Sequence, residues 1–176
     1  FSTGTKWGFL AGSGAPVKYI LCNCEEGDPG AFNDKGILES DPSTVVEGIL
    51  IAAYATGASN GYIFIRHGHD GPIDRARAAV SEAYRLGLLG DNILGTDFSF
   101  HLEVALTGDS YVSGEETALM EAIEGSRAMP RYRPPFPAQV GVFGKPTNIN
   151  NVKTMAYVPE IVSTGGEWFS GIGHDR

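Results

Sequence analysis

Apolar positions along this chain follow two periods that take turns, one of about two residues and one of about 3.6. Residues 17–21 form a short apolar run with strand character. Asp41-Pro42 then opens a helix over 43–54, with Asp as the cap, Pro in the first turn and Gly57 at the end. Its apolar residues run nearly all round, which predicts cover on most sides. Residues 61–66 read as a second short strand. A second helix over 73–86 carries Ile73, Ala76, Ala79, Val80, Ala83 and Leu86 at helical spacing, with Gly87 closing it. Residues 98–106 alternate as a strand, with Phe98, Phe100, Leu102, Val104 and Leu106 on one face. A helix over 117–123 follows, and Thr147-Asn148-Ile149-Asn150-Asn151 opens a last one through Val162, kinked before Pro159. Strands alternating with helices predict an α/β arrangement with right-handed crossovers.

The polar residues gather between these elements. Cys22 to Asp34, CNCEEGDPGAFND, places Glu25, Glu26, Asp28, Asp34, two asparagines and two glycines just past a strand, in a stretch expected to be neither helix nor regular strand. Gly27 and Gly30 bracket Asp28-Pro29 and predict tight turns. Polar groups at the carboxyl end of a buried strand are where an open α/β sheet binds its ligand. A second cluster, residues 107–116, also follows a strand, and Ser113-x-x-Glu116 has the form of a capping box. The opening fifteen residues read as a Gly-rich loop carrying Lys6, Trp7 and Phe9, a cation flanked by aromatics. Residues 126–146 form a long irregular segment with five prolines, Arg127, Arg131, Arg133 and Phe136, suited to a lid or a wall of a site.

Composition removes several classes. With 42% hydrophobic and 19% charged residues the chain has an ordinary globular make-up, and 176 residues suffice for one domain with a sizeable core. A net charge of −8 with scattered Lys and Arg argues against nucleic-acid binding. The longest apolar run, residues 48–55, is too short to span a membrane. Cys22 and Cys24, the only cysteines, read as structural thiols in a reducing compartment. His67-Gly68-His69-Asp70 lacks a third ligand cluster, so no metal site is expected. The chain starts at Phe1 without a signal peptide and stops at Arg176 without a closing element, which reads as a piece of something longer.

If the Lys6 segment, the turn over 23–30, the helix start at Gly114 and Asn150-Asn151 meet at one crevice, they offer a cation, carboxylates, amides and a helix N-terminus. That set suits a phosphate, a ring with alternating donors and acceptors, and ribose hydroxyls. It fits a nucleotide-bearing cofactor better than a hydrolase.

Five motifs in order, FSTGTKW, CNCEEGDPGAFND, YVSGEETALMEAIEG, RYRPPFPA and GKPTNINNVKT, resemble the flavin-binding subunit of respiratory complex I and its relatives in NAD-reducing hydrogenases and NAD-dependent formate dehydrogenases. The resemblance covers nearly the whole chain. It implies a Rossmann-like open sheet with flanking helices that binds FMN and NAD(H) as a single domain over residues 1–176. The family's glycine-rich loop would precede that domain, and a ubiquitin-like region and an iron-sulfur helical bundle would follow it. It implies FMN contacts from Lys6, Asn23, Glu25, Glu26, Gly114, Glu115, Asn150 and Asn151, with Tyr111 beside the flavin. Phe1 and Phe9 would meet the adenine of NAD(H), Asp28 and Glu116 would make polar contacts, and Arg133 and Phe136 would stand at the mouth. Glu26 is the carboxylate expected nearest the hydride path. The implied activity is NADH:acceptor oxidoreduction, with hydride passing between NAD(H) and FMN and electrons on to a 4Fe-4S cluster held beyond this chain. Implied partners are other subunits of an electron-transfer complex, including a thioredoxin-like 2Fe-2S subunit, in the cytoplasm or at the cytoplasmic face of a membrane. The alternative expectation is a non-catalytic assembly module or inactive piece of such a subunit.

Overall fold

The computed structural model describes residues 2–108 and 110–173. Four strands, β1 (Tyr19–Cys24), β2 (Asn60–Arg66), β3 (His101–Thr107) and β4 (Thr147–Asn151), form one sheet in the order β3-β2-β1-β4. All three pairings are parallel, with Leu21 opposite both Tyr62 and Ile149, and Asn23 opposite Phe64 and Asn151. Parallel strands need crossover connections, and the helices that make them bury both sheet faces.

On one face, Ile20, Cys22 and Cys24 of β1 pack with Val45, Ile49, Ala52 and Met155 in the larger core. That face is covered by α1 (Thr3–Ala11), α2 (Asp34–Ser40), α3 (Pro42–Thr56), α4 (Asp70–Arg85) and α6 (Val152–Thr164). The other face carries a smaller core of Leu21, Phe64, Leu119, Met120, Val142 and Ile149 under α5 (Glu116–Ile123). Burial pushes both cysteine thiols far above their ordinary range, so they stay protonated and serve as small apolar side chains.

The α3 start follows its sequence signals. The Asp41 carboxylate accepts from Thr44 N at 3.1 Å and Gly57 ends the helix at φ 70°. Gly48 permits the tight crossing of α3 and α6, because a Cβ there would lie 2.0 Å from Met155 O.

Several boundaries differ from the sequence expectation. Residues 3–11 are helix and not a loop: Ser2 caps it, Leu10 is fully buried, and Trp7 donates to Asn150 Oδ1 at 2.9 Å, so tertiary contacts override two interior glycines. Strand β1 continues through Cys24, and α2 begins already at Asp34. Residues 147–151 are the fourth strand, and the last long helix starts only at Val152. Strand β3 begins at His101, after an antiparallel bridge between Phe100 and Gly90. A short helix, α7 (Gly166–Ser170), closes the described chain.

Candidate functional site

Strand β1 lies between β2 and β4: the chain runs from β1 to β2 and β3 on one side, and the crossover from β3 returns past β1 to β4 on the other. The carboxyl ends of β1 and β4 therefore flank a topological switch point, where an open sheet leaves a crevice for ligands. The acidic turn continues from β1, and Asn150-Asn151 ends β4.

The turn is built as its glycines and proline demand. Ala31 N donates to Asp28 O at 3.1 Å, with Gly30 at φ 81°, which is a turn with Pro at its second position and Gly at its third. The Glu25 carboxylate, only 2% exposed, pairs with Arg66 Nη1 at 2.5 Å. A Cβ on Gly27 would lie 2.8 Å from that guanidinium, and one on Gly114 would lie 2.8 Å from Glu25 Oε2. Both glycines thus make room for the buried pair. Glu26 serves a helix instead. Its oxygens accept from the backbone N–H groups of Asn33 at 2.7 Å, Asp34 at 3.2 Å and Lys35 at 3.1 Å, the start of α2. Burial pushes its carboxyl up, but those three donors and the Lys35 charge outweigh it and hold the group below its ordinary range.

The second cluster folds into a single tight helical turn, Tyr111–Gly114, followed by α5. Glu115, not Ser113, caps α5; its Oε2 accepts from Thr117 N at 2.9 Å and Ala118 N at 3.0 Å. Burial raises the Glu115 carboxyl less than these bonds, the Thr117 hydroxyl and Arg133 lower it, so its net shift is downward. The expected capping box is absent because Glu116 is drawn outward to Arg133, which also lies 3.5 Å from Glu115, and to Lys6 at 3.7 Å.

Two cavities lie at this pair of glutamates, one lined by Glu115 and the other by Glu116. The first, about 500 Å³, is lined by Glu25, Glu26, Asp28, Tyr111, Gly114 and Glu115, together with Asp34. Tyr111 donates to Asp28 Oδ1 at 2.9 Å across it. The second, about 630 Å³, is lined by Lys6, Phe9, Glu116, Arg133 and Phe136. Phe1 lies outside the described residues.

The three asparagines hold the strand ends together. Asn23 Nδ2 donates to Gly114 O at 2.9 Å while its Oδ1 accepts from Glu25 N at 3.0 Å, which ties the two polar clusters to each other. Asn150 receives the Trp7 indole. Asn151 caps α6 through Lys153 N at 2.9 Å and donates to Asp34 Oδ2 at 2.5 Å. Lys6 Nζ donates to Ile149 O at 2.5 Å, so α1 is locked to the β4 edge.

Sequence reasoning gave Arg66 no role, and named Asp34 and Arg131 only as members of their polar segments. Arg66 had a signal, a lone cation at the end of an apolar strand. Asp34 was visible in the acidic turn, but its bond to Asn151 spans 117 positions. Arg131 binds Glu121 at 2.5 Å, Glu124 at 2.6 Å and Gly141 O at 3.2 Å, and so fastens the irregular segment to α5.

The donor set agrees with a flavin nucleotide. Carboxylates crowd the first cavity, which suits N–H and O–H donors of a ring and a polyol and repels phosphate; the two cations, Lys6 and Arg133, stand at the second. The family described as the Nuo51 FMN-binding domain matches residues 1–160. The chain belongs to that family. An NADH-quinone oxidoreductase subunit of Rhizobium meliloti (strain 1021) is 47% identical over 176 residues, which is 100% of this chain and 42% of that protein. NADP-reducing hydrogenase subunit HndC of Solidesulfovibrio fructosivorans is 47% identical over 173 residues, 98% of this chain and 35% of its own length. Among solved structures, an NAD+-reducing [NiFe]-hydrogenase in the H2-reduced state superposes with a TM-score of 0.85 at 36% identity, covering 96% of this chain and 28% of that one. The chain thus spans less than half the length of these relatives of its Nuo51 family.

Proposed function

We propose that this chain is the FMN- and NAD(H)-binding domain of an NADH:acceptor oxidoreductase subunit. The observation that carries the reading is the meeting of the acidic turn, the Gly114–Glu116 segment, Lys6 and the β4 end at the switch point, in a member of an FMN-binding-domain family. FMN held there would supply hydride acceptance and single-electron release, which no side chain of this chain can do.

The residues divide the work by charge and depth. Gly114 and Gly27 line the first cavity beside the Glu25–Arg66 pair they make room for, and Glu26, Asp28 and Glu115 accept hydrogen bonds from ring and ribityl donors. Lys6 neutralises phosphate at the junction. Phe9 and Phe136 stack the adenine of NAD(H), Arg133 and Glu116 take its polar groups, and Tyr111 covers the nicotinamide end. Glu26 orients the hydride path without taking a proton, because three backbone donors keep it ionised. The site works by aligning two planar rings. A 4Fe-4S cluster outside this chain, a thioredoxin-like 2Fe-2S partner subunit and a place in a cytoplasmic electron-transfer complex complete the proposal. Among the described residues, no helix is long and apolar enough to cross a membrane.

The test is anaerobic mixing of NADH with the FMN-loaded chain. Rapid bleaching of the flavin's visible absorbance is expected, slowed in Glu26→Gln. A loaded chain that NADH leaves unbleached would overturn the enzymatic reading in favour of an assembly module.

A further inference from the structure

The wall of the first cavity is one-sided in charge. Glu25, Glu26, Asp28, Asp34 and Glu115 all line it, and among the described residues no Lys, Arg or His does. Glu26 and Glu115 accept from backbone N–H groups, Asp28 from the Tyr111 hydroxyl and Asp34 from the Asn151 carboxamide, donors that bring no net charge. Arg133 reaches Glu115 only at 3.5 Å and is shared with Glu116 at the second cavity. Glu25 is treated differently: Arg66 Nη1 meets its Oε1 at 2.5 Å. That guanidinium stands against Gly27, itself a lining residue, 2.8 Å from where a Cβ would lie and with Tyr111 3.0 Å from the same point. With side chains 22% and 2% exposed, this pair is far less screened by water and salt than a surface pair.

We propose that Arg66 is a positioning residue that sets the redox balance of the flavin by cancelling the charge of Glu25 in the wall of the first cavity. Resting on the flavin reading above, this adds to it the residue that tunes the ring. Reduction of a neutral flavin ring by hydride brings two electrons and one proton, so the ring gains one negative charge. An uncancelled carboxylate beside it opposes that gain, and an uncancelled cation favours it. The closed Glu25–Arg66 pair does neither, and it acts through the field of the wall rather than by contact with the ring.

The experiment titrates the full chain by anaerobic calorimetry with oxidised FMN and with photoreduced FMN. The observable is the ratio of the two affinities, reduced over oxidised, which by linkage measures the change in the flavin's potential on binding. All titrations are run at about pH 9, because a buried carboxyl deprived of its cation ionises only at high pH. Glu25→Gln leaves the guanidinium unopposed and should raise the ratio about tenfold; Arg66→Gln leaves the carboxylate unopposed and should lower it about tenfold. The double variant Glu25→Gln/Arg66→Gln should return to the wild-type ratio. Lost packing weakens both redox forms together, so opposite signs in the two single variants isolate the charge. Should Arg66→Gln not fold, the rise in Glu25→Gln and its cancellation in the double variant decide the matter. An unmoved ratio in Glu25→Gln, changes of the same sign in both single variants, or a double variant that stays displaced overturns the proposal. Failure of the underlying flavin reading looks different: the wild type then binds FMN in neither form.

Discussion

Glu25 and Glu26 are adjacent in sequence, chemically equivalent, and committed to different work. Glu25 is buried against Arg66, so removing one partner strands a charge: Arg66→Leu should cost about 3–5 kcal/mol in urea unfolding, and the double change Glu25→Leu/Arg66→Leu clearly less. Glu26 caps α2 from outside the helix. Its folded pKa lies below its ordinary value, so its contribution is fully present above the unfolded value of 4.5 and is lost as pH falls through the lower folded value. Glu26→Gln should therefore lose about 1 kcal/mol at neutral pH and flatten the acid limb of the stability curve below about pH 4.5, as followed by circular dichroism. At this scale the sequence revealed which residues gather but not what they hold. The turn at Asp28-Pro29-Gly30 was legible because its conformation is local, whereas the pairing of Glu25 with Arg66 joins positions 41 apart.

Elements with local signals were the readable ones. Helix α3 has its cap, its proline and its terminal glycine in sequence order. Helix α2 escaped notice because its cap is Glu26, seven to nine positions upstream of the N–H groups it serves. Helix α1 was hidden by glycines that only its docking on β4 offsets. Strand β4, with Thr and three Asn in five residues, has weak strand propensity and exists because β1 supplies its partner. Helix crossings were not readable at all, and Gly48 is the example. Gly48→Ala should destabilise by about 3 kcal/mol or more, since the added methyl meets the backbone oxygen of Met155, which cannot swing aside. The same steric test inside the site has a functional outcome. Gly114→Ala pushes on the Glu25 carboxylate, so it should weaken flavin binding more than it lowers the melting temperature, measured on one sample by fluorescence and by thermal denaturation.

Across the whole molecule, one sheet does the assembling. Its order brings together residues from both ends of the chain, and the segment 126–146, fastened by Arg131, walls the second cavity with Arg133 and Phe136. The α/β class followed from periodicity alone, while the position of the crevice required the strand order, which no local pattern encodes. Everything proposed for this chain rests on the β1 and β4 ends, with Lys6 and Gly114, forming a single flavin-nucleotide site. Titration of the chain with FMN, followed by quenching of flavin fluorescence, decides whether they do. Saturable binding of one FMN per chain is expected, weakened about tenfold or more in Lys6→Gln through loss of the charge-assisted phosphate contact. Unquenched FMN at all concentrations, with the chain folded by circular dichroism, would contradict it.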